Sequence, residues 1–151
     1  MIEIIDTDLG WEDIFQSIIE DNDKEVEVGY YNDEVEDGIG LAELATVHEF
    51  GLGNPKRPFM RRSFDNGVKD IFRMEKELIG SMIDGNIDKE MVHIVIGDFH
   101  KNQIQSGVVE KKLGLEANAQ ATIDRKGSDT PLIDTSRLIN STQSNIVKKN
   151  G

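Results

Sequence analysis

The residues that could do chemistry in this chain are few and poorly spaced for it. Its three histidines are His48, His93 and His100. His48-Glu49 opens like the pair of a helical zinc site, but Leu52 stands where a second histidine must follow one turn on to share the ion. His48 therefore reads as a core or boundary histidine. His93 and His100 lie two helical turns apart, too far for one ion without ligands from elsewhere. Asp21-Asn22-Asp23-Lys24-Glu25 begins like a calcium loop, with oxygen ligands at alternate positions. Val26 then occupies the place of the turning glycine and Asn32 that of the closing glutamate, so solvated acids between two elements are the better account.

Other chemistry is no better served. The chain has no cysteine, which removes disulfides, thiolate metal sites and cysteine nucleophiles together and fits a reducing cytoplasm. Gly38-Ile39-Gly40 lacks the third glycine and the setting of a dinucleotide turn, there is no P-loop, and no serine sits in a Gly-x-Ser-x-Gly elbow. Paired carboxylates are too common in so acidic a chain to mark acid–base catalysis. The residues make no positive case for an enzyme, and imply neither metal nor cofactor.

The elements that position these residues follow from periodicity. At 151 residues with 37% apolar content, one domain over 1–151 is expected, with one modest core. Asp8 can cap a helix carrying Trp11, Ile14, Phe15, Ile18 and Ile19 on one stripe. Glu25-Val26-Glu27-Val28 alternates as a half-buried strand does, and a loop of acids and glycines is expected to run on to Gly40. A second helix is predicted over roughly 40–50, ended by Gly51. Pro55 and Pro58 bracket an extended arm. From Phe59 a long helix carries Val68, Ile71, Phe72, Leu78, Ile79, Met82 and Ile83, and ends at Gly85-Asn86. Another starts near Met91 and runs towards Leu113, with Gly107 as a weak point. Residues 115–135 give no clear pattern, and Ser141 to Val147 reads as a strand returning to pair with Val26 to Tyr31. The fold class is α+β, with long helices packed on one face of a small antiparallel sheet.

Charge divides the chain unevenly. Residues 1–37 hold fourteen Asp or Glu and one base, Lys24, whereas the rest is nearly balanced, so the formal charge of -12 belongs to the first quarter. A basic stretch follows, with Lys56, Arg57, Arg61, Arg62, Lys69 and Arg73. The net field disfavours a general nucleic-acid binder. Met1 to Gly10 already contains three acids and no basic region before an apolar run, so neither an export leader nor a membrane span is expected.

Two segments are more specific. Val47-His48-Glu49-Phe50-Gly51 is followed by Pro55-Lys56-Arg57-Pro58-Phe59-Met60-Arg61. Much later comes Lys126-Gly127-Ser128-Asp129-Thr130-Pro131-Leu132-Ile133-Asp134-Thr135-Ser136-Arg137-Leu138. Together, and in their order after a Val-x-Val-Gly strand, they resemble the virion morphogenesis and tail-completion proteins of tailed bacteriophages over roughly residues 25–147. Residues 1–24 match nothing in that pattern. Ser136 stands where the family usually has glycine, and Lys56 where a small residue is common.

The resemblance implies a structural virion protein at the head-proximal end of the tail, present in the host cytoplasm during assembly. It would form a ring of six copies that completes the tail and joins it to the head, touching tail-tube or terminator and connector proteins while genomic DNA passes through unbound. It implies no catalytic residue, no cofactor and no membrane. Arg57-Pro58-Phe59 with Lys56, Arg61 and Arg62 could present cations beside an aromatic anchor at a subunit or partner interface; Phe59 could equally staple the start of the long helix. Pro131, Leu132, Asp134, Thr135 and Leu138 read as structural: Asp134 or Thr135 caps a short helix containing Leu138, and the apolar residues dock on the core. The rivals are a tail terminator or head-closure ring, an acidic inhibitor that mimics DNA, and a calcium-regulated binding module.

Overall fold

The computed structural model describes residues 23–31, 35–36, 38–132 and 136–149. Strand β1 (Lys24–Gly29) pairs antiparallel with β4 (Gln143–Lys148), with Val26 opposite Ile146 and Val28 opposite Ser144. The alternating acids and valines thus form the expected strand, and its partner is the expected C-terminal segment. Where a loop was expected before Gly40, β2 (Val35–Glu36) and β3 (Ile39–Gly40) make a minimal hairpin, turned by Gly38 at φ 82°. The helix expected from Asp8 falls outside the described residues.

The helices are α1 (Leu41–Phe50), α2 (Phe59–Ile83), α3 (Lys89–Val109), α4 (Gln120–Lys126) and α5 (Arg137–Asn140). Helix α1 ends on Gly51 at φ 75°, whose N–H donates to the Val47 carbonyl at 2.9 Å. Helices α2 and α3 form a long antiparallel hairpin, α3 being started by the Asp88 carboxylate, which accepts from the Met91 N–H at 2.7 Å. The buried residues of α2 are Phe59, Ser63, Gly67 and Ile71, an i+4 ridge turned inwards, with its two small members letting α3 come close. Helix α3 in turn lies on the β1–β4 pair. At Gly97 a Cβ would meet Ser144 Oγ at 2.5 Å and Val26 Cγ1 at 2.9 Å, so glycine is what lets helix and sheet touch.

Gly107 does not interrupt α3. It is buried within the helix, and Leu113 folds back over it at 3.0 Å from the would-be Cβ. The apolar stripe of α2 is wider than the described fold covers: Ile71 is buried, but Phe72 is 63% exposed and Ile79 and Ile83 are exposed too. Only one side of that helix faces α3. The helix α4, in the stretch without a pattern, is short, and none of its residues is buried.

The main core gathers at one end of the hairpin. Leu41 and Ala45 of α1, Phe59 of α2, Ile104 and Val108 of α3, Leu113, Leu132, and Leu138 and Ile139 of α5 form one cluster. The members range over nearly a hundred positions, so this end of the molecule closes the chain on itself.

Candidate functional site

The two segments that carried the resemblance meet at this core. Helix α1 hands over to α2 through a tight knot. The buried Glu49 carboxylate accepts from the Met60 N–H at 3.0 Å and the Arg61 N–H at 3.2 Å, satisfying two of the free donors at the start of α2. Its negative charge also faces the positive end of that helix. The Arg57 N–H donates to the His48 carbonyl at 2.7 Å, and the Phe59 N–H to the Arg57 carbonyl at 2.7 Å around Pro58, an inverse γ-turn at φ -76°, ψ 68°. At Gly51 a side chain would strike Lys56 Cβ at 2.8 Å. His-Glu-Phe-Gly and Pro-Lys-Arg-Pro-Phe are therefore two halves of one turn.

From this knot Arg57 reaches across to residues 116–118, and through Asn118 to the second segment. Its Nε donates to the Glu116 carbonyl at 2.9 Å, and one Nη to the Ala117 carbonyl at 3.2 Å and to Asn118 Oδ1 at 3.0 Å. Asn118 then donates to the Thr130 carbonyl at 3.2 Å, next to the buried Pro131 and Leu132. Arg62 adds a second strap, donating to the Leu113 carbonyl at 3.1 Å and to that of Gly114. Lys111 and Asp129 pair at 2.7 Å on the surface of the same corner, and Lys111 holds the Asp129 carboxyl below its ordinary value. Burial pulls the Arg57 guanidinium down from its ordinary value while Glu116 opposes the change.

The arm residues divide by role. Arg57 and Phe59 are buried, Phe59 to 0% exposure with its ring edge-on to Tyr30 at 6.4 Å, so both act inside the subunit. Pro58 is half-buried, and Lys56, Arg61 and Arg62 are exposed residues. Between the sequence's two readings of Phe59, its surroundings are those of a core residue at a helix start. In the later segment Pro131, Leu132 and Leu138 are buried, whereas Asp134 and Thr135 lie outside the described residues. Ser136, not a capping acid or threonine with a bonded side chain, flanks α5, and it sits at φ 62°. That left-handed geometry is the physical reason a glycine suits the position.

Nothing in the residue pattern marks Asn118 or the partners of Arg57 and Arg62. Carbonyl acceptors belong to every residue alike, so a segment held by its backbone carries no side-chain signature. Glu49 was legible only as half of a metal pair, although a glutamate at a helix end shortly before a Pro-Phe helix start is also a capping signal.

The histidines stay apart. His48 Nδ1, His93 Nδ1 and His100 Nε2 are buried without a hydrogen-bond partner among the described residues, and no group of three or more potential metal ligands occurs there. Burial lowers the His48 pKa, with the Arg57 and Lys126 charges adding to it, and burial alone lowers that of His100, whose ring stands edge-on to Phe64 at 5.5 Å. Tyr30, beside Phe59, is pushed up to about 12 by burial, and its hydroxyl lies 3.1 Å from Thr142 Oγ1. A cleft of about 410 Å³ opens at the far end of the hairpin between Val26, Ile79, Met82 and Val92. Among the described residues no helix is long and apolar enough to cross a membrane. What the corner does with these groups is fasten distant pieces of chain together. Compared with family models, curated proteins and solved structures, the chain matches none.

Proposed function

We propose that the chain is a structural protein of a tailed phage or prophage particle, a ring subunit at the head-proximal end of the tail that completes the tail and joins it to the head. The observation that carries this reading is that the two segments resembling such proteins converge on one corner, through Arg57, Asn118 and Thr130 and a shared core of Phe59, Leu132 and Leu138. Their residues are used as fasteners. A subunit whose most specific residues hold its own shape is suited to repeated, geometrically defined contact, and rings form when such contacts close by rotation.

Charge fits the same role. Fourteen acids in the first 37 residues give the subunit a net field that repels phosphate, so DNA could traverse such a ring without adhering. The test is genetic. Removing the gene from the phage or prophage that encodes it, with the intact gene supplied in trans as control, should leave filled heads and separate tails. Joined, infectious particles in its absence would overturn the proposal.

A further inference from the structure

We infer that the exposed knot at the end of α1 receives the acid-rich first quarter of a second copy of the chain. The inference rests on the ring reading above and names the surface that would build the ring. Phe50 is 54% exposed and Leu52 59%, either side of the left-handed Gly51. Lys56 packs against that glycine, and the Arg61 backbone is bonded to Glu49 on the neighbouring turn. Two large apolar side chains and two cations thus share one rigid feature.

The cations are free to act outwards. Arg57 and Arg62 are bound to internal carbonyls, but among the described residues the Lys56 and Arg61 side chains have no hydrogen bond or ion pair. An apolar surface with unpaired cations fits a ligand in which apolar side chains alternate with carboxylates. The chain contains such a ligand: Trp11, Ile14, Phe15, Ile18 and Ile19 are interspersed with Glu12, Asp13 and Glu20, in a stretch of fourteen acids against one base. The remaining residues are nearly neutral in balance and offer no equal.

The ring reading makes a second copy its source, and the described start of the chain lies away from the knot. The end of β1 is at the knot, where Gly29 and Tyr30 approach Met60 and Phe59. Its beginning is about 17 Å away at five residue steps, beside the cleft of Ile79 and Met82. Residues 1–23, which hold eight of the fourteen acids, therefore join the fold away from the knot, and their contact with the knot of the next copy would run head to tail.

The test places a photo-activated benzophenone amino acid at Leu52 of the full chain and irradiates a mixture of unlabelled and heavy-isotope-labelled protein at low salt. Adducts should join residues 1–37 of one copy to position 52 of another. Their yield should fall about tenfold in Lys56→Glu/Arg61→Glu and recover when Glu12→Lys and Asp13→Lys are added. Circular dichroism checks that the variants keep their fold. Adducts confined to one copy, or to another part of a second copy, would overturn the inference while leaving a ring possible through other contacts. The absence of any intermolecular adduct would overturn it too, and would leave the ring reading to be judged on particles.

Discussion

Arg57 keeps its charge in the folded protein because the corner gives it three oxygens in the geometry of a guanidinium fork. A lysine has the charge without the fork. Arg57→Lys should therefore lower unfolding free energy by about 1 kcal/mol in urea titration, since it loses the fork to part-buried acceptors; an unchanged midpoint would show the strap to be idle. Ser136 offers the opposite case. At φ 62° its Cβ is strained, so Ser136→Gly should stabilise by about 0.5–1 kcal/mol once the entropy cost of glycine is set against the relief. The histidines add a pH dependence. Burial holds His48 and His100 below their ordinary value, so as pH falls below about 6.5 the unfolded chain takes up protons that the folded chain refuses, and stability declines. The melting temperature should drop from about pH 7.5 to about pH 5.5, and less so in His48→Gln/His100→Gln. An equal drop in that variant would assign the effect elsewhere.

Among the elements, contact between helix and sheet depends on one missing side chain. Gly97→Ala should cost about 1–3 kcal/mol, because both Ser144 and Val26 stand within 3 Å of the new methyl group. Gly80→Ala, in open space on α2, should instead gain about 1 kcal/mol from helix propensity. Paired thermal melts would test both, and the same sign for the two would contradict the packing described. How far the elements were legible follows from what holds each one. The strand at Val26 and the long helices advertise themselves through side-chain period, and β4 through its need for a partner. Residues 115–135 do not, and where they begin, guanidinium groups from Arg57 and Arg62 hold the carbonyls of Leu113, Gly114, Glu116 and Ala117, which leaves no mark on the sequence. The His48-Glu49 pair shows the same limit from the other side: residues suited to a metal serve a cap and a backbone acceptor once Gly51 and Pro58 turn the chain.

For the whole molecule, a rigid corner with exposed cations and a first quarter rich in acids make a polar building unit. Its formal charge of -12 belongs to residues 1–37, and the cations of the knot are of the opposite sign. Head-to-tail attraction of this kind weakens with salt, since the exposed charges are screened beyond about 10 Å at 0.1 M. The proposed closed ring where tail meets head is open to an electron-microscopy density map of the intact particle. Density for α2 and α3 should repeat around the tail axis, between tail tube and connector. A particle whose every ring is filled by other chains, with this one absent, would refute the proposal.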